Sequence, residues 1–128
     1  MTKMKRLIFG DGLMSPSLNG SKRFTVRKYR EGSHDFAKDE IFVGEFKDGL
    51  NILLRALADT KIAEFRRLRA NKKDTEKNGY YFDKEYLKDL ANFYPDLTWN
   101  TMGAVIIFEI LRVNDVPVVQ FNEHAKTD

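Results

Sequence analysis

No cysteine occurs among the 128 residues. Disulfide scaffolds, thiolate nucleophiles and Cys-ligated zinc are therefore excluded. The two histidines, His34 and His124, lie far apart, and no acidic group of ligand spacing surrounds either. Both read as surface or loop residues, and no metal or cofactor is implied. Long apolar runs are also lacking. The run Ala104 to Phe108 is broken by Glu109 and falls well short of the roughly 20 apolar residues of a membrane helix. At the N-terminus a basic stretch precedes only Leu7-Ile8-Phe9, too short for a signal-peptide core. The expectation is a cytoplasmic chain with no membrane partner.

What is present is globular: 42% of residues are apolar and 32% charged, a balance that supports a packed core rather than disorder. The length suits one domain. Net charge is only +3, yet the cations are gathered. Lys22, Arg23, Arg27, Lys28 and Arg30 form one cluster, and Arg66, Arg67, Arg69, Lys72 and Lys73 form another. Such clusters either build a positive potential suited to phosphate or serve as a solvated surface.

Local patterns give the elements. Leu7-Ile8-Phe9 predicts a first strand, and Ser15-Pro16 a short helix start with Ser15 as N-cap. Phe24 to Arg27 alternates, so Phe24 and Val26 should face a core while Arg23, Thr25 and Arg27 form a polar strip opposite, with Lys22 in the adjoining turn. Glu40 to Phe46 reads as a strand followed by the hairpin signal Asp48-Gly49. Leu50, Leu53, Leu54 and Leu57 have helical spacing, but a hairpin asks for a returning strand, so Asn51 to Asp59 is assigned strand. Ile62 to Asn71 predicts a helix and Lys72 to Gly79 a loop. Asp83 should cap a helix running to about Phe93 and stopped by Tyr94-Pro95. Ala104 to Leu111 reads as a central strand, and Val116 to Phe121 as an edge strand after a turn at Asn114-Asp115.

The stretch Gly20-Ser21-Lys22-Arg23-Phe24-Thr25-Val26-Arg27 resembles the signature of the ASCH domain family, Gly-x-Lys-x-x-Thr-x-Arg. Three later stretches resemble the family in order: Asp39-Glu40-Ile41 through Phe46 with Asp48-Gly49, Leu87 through Tyr94-Pro95, and Val105-Ile106-Ile107-Phe108-Glu109. The resemblance covers about residues 5 to 111, with 112 to 128 as a C-terminal extension of a single domain. It implies an α+β fold, a small PUA-like mixed β-barrel with flanking helices, and RNA-related roles through a cleft beside the Lys-Thr-Arg strip. The Tyr-Pro helix is similar to that of the acetylcytidine amidohydrolase branch. That likeness implies catalysis by Lys22 and Thr25, with an acid from the loop before the long helix. Glu76 stands nearest that place, and Glu45 is a further candidate.

Two chemistries are thus open. In binding RNA or a modified nucleoside, Lys22, Arg23, Arg27 and Lys28 would contact phosphates, and Arg66, Arg67 and Arg69 would extend the track. Tyr80 and Tyr81, or Tyr29 or Trp99, would offer a face for an unpaired base. In hydrolysis Thr25 would be the nucleophile, Lys22 its base and Glu76 the proton carrier. Ribonuclease activity has no paired His or acid constellation to carry it. A protein-interaction adaptor that recruits an unidentified partner through its tail is a further alternative. A last alternative has Lys22, Thr25 and Arg27 only pinning the turn and strand.

Overall fold

The computed structural model describes residues 4–9, 14–15, 20–46 and 49–113. The expected helix after Pro16 and the strand Val116 to Phe121, with the rest of the tail, lie outside them. Six strands form: β1 (Arg6–Phe9), β2 (Lys22–Lys28), β3 (Ile41–Phe46), β4 (Asn51–Ala56), β5 (Lys61–Glu64) and β6 (Met102–Val113). Between β5 and β6 come 3₁₀ turns at Phe65–Arg67 and Lys72–Asp74, a single helical turn α1 (Thr75–Asn78), and the helix α2 (Lys84–Leu90).

The strands make one mixed sheet in the order β1-β3-β4-β6-β2, with β5 also pairing β6. Only β1 and β3 run parallel; the other pairs are antiparallel. The long β6 organises the sheet. Lys22 to Lys28 pair with Glu109 back to Gly103 along one side. On its other side β4 takes the C-terminal half and β5 the N-terminal end. The register slips between Leu53 and Leu54, a bulge that sharpens twist.

The sheet curls into a half-barrel. β1 and β6 are separated by two strands in hydrogen-bond order, yet the rings of Phe9 and Phe108 lie 5.8 Å apart. Paired residues share a face, so the concave face carries Leu7, Phe9, Phe42, Ile52, Leu54, Ile106, Phe108 and Ile110, all fully or nearly fully buried. The outer face of β2 and β6 is covered too. Phe24 meets Tyr80 and Tyr81 edge-on, and Phe65 stacks on Phe82. A Cβ on Gly103 would stand 2.3 Å from the Phe65 ring. Only glycine lets that ring lie on the strand.

Two expectations are corrected here. Ile62 to Asn71 is not a helix. Lys61 to Glu64 find open ladder positions on β6, and tertiary pairing outweighs local propensity. The spacing of Phe65 and Leu68 belongs instead to a 3₁₀ turn, whose period is three. Likewise Lys72 to Gly79 is not plain loop but a 3₁₀ turn followed by α1. Asp83 does cap α2, accepting from the Tyr86 amide at 2.8 Å. The helix ends at Leu90, and turn hydrogen bonds from Asn92, Phe93 and Tyr94 continue the coil to the proline. Among the described residues no helix is long and apolar enough to cross a membrane.

Candidate functional site: a basic cleft at the barrel seam

The strands β1 and β2 are the two ends of the sheet order, and the half-barrel brings them toward each other. Side chains satisfy the outer backbone edge of β2. Ser15 Oγ accepts from the Phe24 amide at 2.9 Å while the Ser15 amide donates to the Phe24 carbonyl. Tyr86 is hydrogen-bonded to the Val26 backbone, and burial pushes its phenol up to about 12. His34 is hydrogen-bonded to the Lys28 backbone. Every second residue of the strand thus has a partner beyond the sheet, which blunts an edge that would otherwise template pairing.

Arg27 spans the gap. Its Nη1 donates to the Ile8 carbonyl of β1, its Nε donates to Thr25 Oγ1 at 3.2 Å, and its guanidinium lies 4.7 Å from the centre of the Phe9 ring. Arg27 is 4% exposed. Its Nη2 is buried without a hydrogen-bond partner. Burial pulls its pKa down to about 10, and the groups that oppose this are Tyr94 and Tyr86. Among the described residues no carboxylate compensates the charge.

Beside Arg27 opens a cleft of about 630 Å³. Among the described residues, four cationic ones line it, Arg6, Arg27, Lys28 and Arg30, and no acidic one. Arg6 is paired with Glu45 on the neighbouring strand. Tyr29 and Tyr94 contribute aromatic walls, and Ser33 and His34 the remaining polar surface. The loop after β2 is held by Asp35, which accepts from the Tyr29 hydroxyl at 2.9 Å and from the Gly32 amide at 2.9 Å. These bonds, led by that from Gly32, hold the Asp35 carboxyl below its ordinary range.

His34 corrects the sequence reading. It is buried rather than on the surface, with Nδ1 accepting from the Arg30 amide at 3.1 Å. Burial first, then the charges of Arg27 and Arg30, pull its pKa down to about 4. It is therefore a neutral ring at physiological pH.

The other expected site residues scatter. Thr25 is on the strip with Arg27 as expected, but the strip faces the barrel interior and Thr25 is fully buried. Arg23 is buried as well and spends Nη1 on the carbonyls of Gly20 and Lys22. It pins its own turn rather than offering a charge to phosphate. Lys22 is exposed as the first residue of β2, not in the turn, and stands opposite Glu109. Strand alternation puts it on the face away from Thr25. Glu109 in turn pairs with Arg55 of β4.

Glu76 is exposed on α1. That turn ends at Gly79, which packs against Ile107 on the outer face, so the sheet separates this segment from the side chain of Thr25. Arg66 and Arg67 are exposed and both engage Glu64. Arg69 lies 5.1 Å from the Trp99 ring and lines a separate open cavity of about 610 Å³ with Lys61, Asn71 and Asn78.

Tyr80 is not a platform for a base. It is buried and its hydroxyl donates to the Leu68 carbonyl at 2.9 Å. Tyr81 is half-buried, edge-on to Phe24 and Tyr86. Of the residues expected to bind nucleic acid, the seam cleft gathers Arg27, Lys28 and Tyr29, and it adds Arg6, Arg30, His34 and Tyr94. Arg30 was visible as the end of the first basic cluster. Arg6 carries no local signal, and Tyr94 is marked in the sequence only by the Tyr-Pro stretch; strand curl and helix placement bring both there.

Comparison of the chain with family models, curated proteins and solved structures finds no match.

Proposed function

We propose that this protein binds RNA or a modified nucleoside through the seam cleft. One observation carries the reading: a sizeable cleft whose described lining has four cationic residues, two tyrosines and no carboxylate. Nucleic-acid ligands offer the complement, negative oxygens for the cations and flat rings for the aromatic walls. The likeness to the ASCH family supports the same place. Arg27 comes from the signature stretch and Tyr94 from the Tyr-Pro stretch, two segments distant in sequence that resemble the family independently and line one cleft. On this reading the half-barrel is the PUA-like barrel of that family.

Hydrolysis of acetylcytidine is less well supported. It needs Thr25, Lys22 and Glu76 to converge, whereas Thr25 is buried beneath Arg27 and the other two are exposed elsewhere. Binding needs no rearrangement of β2.

Equilibrium titration of the purified protein with a short single-stranded RNA and with acetylcytidine tests the proposal, with cytidine release followed in the same samples. The expected result is binding that weakens steeply with salt and weakens again in Lys28→Ala and Arg30→Ala, two exposed positions. Absence of binding to both ligands at low salt overturns it. Cytidine release that Thr25→Ala abolishes and Thr25→Ser retains would establish the hydrolase in its place.

A further inference from the structure

The unmatched Nη2 of Arg27 names the chemistry of the ligand more narrowly than the cleft does. A guanidinium that is 96% out of solvent normally has its N–H groups and its charge answered by protein oxygens. Here Nη1 and Nε are answered by Ile8 and Thr25, Nη2 has no hydrogen-bond partner, and among the described residues no carboxylate answers the charge. The residues around the opening add positive charge through Lys28 and Arg30, for which no ion pair is found among the described residues. His34 is neutral and adds none. Among the described residues the seam is short of one anion.

We infer that the seam cleft receives a phosphate oxyanion, one oxygen accepting from Arg27 Nη2 and the others facing Lys28 and Arg30, so that the ligand is a nucleotide rather than a bare nucleoside. This rests on the nucleic-acid reading above and sharpens it. Because Arg27 already joins β1 to β2, an oxygen on Nη2 completes the group that holds the seam. Binding is then coupled to closure of the half-barrel. Nη2 is buried, so an oxygen reaches it only as the cleft opens slightly. Phosphate of this kind comes from a free nucleoside monophosphate or from an RNA strand.

Isothermal titration with cytidine, cytidine 5′-monophosphate, and one short RNA carrying either a 5′-phosphate or a 5′-hydroxyl separates the cases, with thermal unfolding in inorganic phosphate against chloride at equal ionic strength. The expected result is that the monophosphate binds on the order of tenfold or more tighter than cytidine, since a charged hydrogen bond is gained. Phosphate should raise Tm where chloride does not. Arg27→Lys should erase the preference, because an ammonium cannot serve Ile8, Thr25 and the ligand together. Should that variant fail to fold, Arg30→Gln and Lys28→Gln, on exposed positions, should reduce the same preference. Tighter binding of the 5′-phosphorylated RNA assigns a terminal phosphate, and equal binding of both RNAs above cytidine assigns the backbone. Equal affinity for cytidine and its monophosphate overturns the inference and leaves nucleoside binding standing. No binding by any ligand removes both.

Discussion

Arg27 on β2 donates to the carbonyl of Ile8 on β1, a bond between strands at opposite ends of the sheet order. The first and last strands of the sheet are thereby joined through a side chain where no backbone ladder connects them. The guanidinium is held on one side by this carbonyl and on another by Thr25. The stability of the seam should therefore depend on both.

Thr25→Val keeps the shape of the side chain but leaves Arg27 Nε facing a methyl group. A buried donor without a partner costs about 1–3 kcal/mol, and chemical denaturation should show a loss of that size. Thr25→Ser keeps the oxygen and should lose less, about 0.5–1.5 kcal/mol for the methyl group. Equal losses in the two variants would mean that the hydroxyl contributes nothing to the seam.

Stability should fall as the medium is acidified from pH 6.5 towards 4. The folded-state pKa of His34 lies near 4, below its unfolded value, so the unfolded chain takes up the proton first throughout that window and stability is lost. The groups acting on the ring are Arg27, Arg30, Asp35 and the Lys28 backbone. With allowance for solvent in the adjoining cleft, the loss is on the order of 1–2 kcal/mol. Urea denaturation at several pH values checks it. His34→Gln, which can still accept from Arg30, should flatten this part of the profile, leaving the slope from Asp35 and Glu64, whose lowered pKa values lose their stabilising effect at more acidic pH.

Ser15→Ala removes the acceptor for the Phe24 amide at the edge of β2. The expected cost is about 1–3 kcal/mol, with faster hydrogen exchange at Phe24 than at Thr25. Unchanged exchange at Phe24 would show that another group covers this edge.

Gly103→Ala should be among the most damaging small substitutions. Its new methyl would meet the Phe65 ring at 2.3 Å, and overpacking of this kind costs about 1–3 kcal/mol. Phe65→Leu in the same chain should recover part of the loss, a coupling that a double-mutant cycle measures. If the two losses simply add, the ring is not what excludes a side chain from position 103.

The strands with clear alternation or an apolar run were legible, as was the hairpin that forces Asn51 onward into a strand. So was the capping of α2 by Asp83, because a cap is a local event. The strand β5 was hidden, since Lys61 to Glu64 are strand only by virtue of β6 some forty positions on. The site divided along the same line. The neighbourhood of Thr25 and Arg27 follows from strand period. That their face is enclosed rather than open depends on curl, and curl is a property of the whole sheet. His34 could not be read as buried, because its enclosure comes from Arg27 and the loop that folds back over Lys28.

The position of β6 at the end of the fold also orders events during synthesis. Emerging from a ribosome, β2 precedes the strand that it pairs with among the described residues, whose ladder lies on residues 103 to 109. Among the described residues β5 likewise has its one partner strand there, and β4 half of its pairing. A nascent chain paused before residue 102 therefore holds a β3–β4 hairpin with β1 beside it and open ladders on the remainder. Such long-range closure is slow, and in that interval the chain is at its most exposed to association with copies of itself.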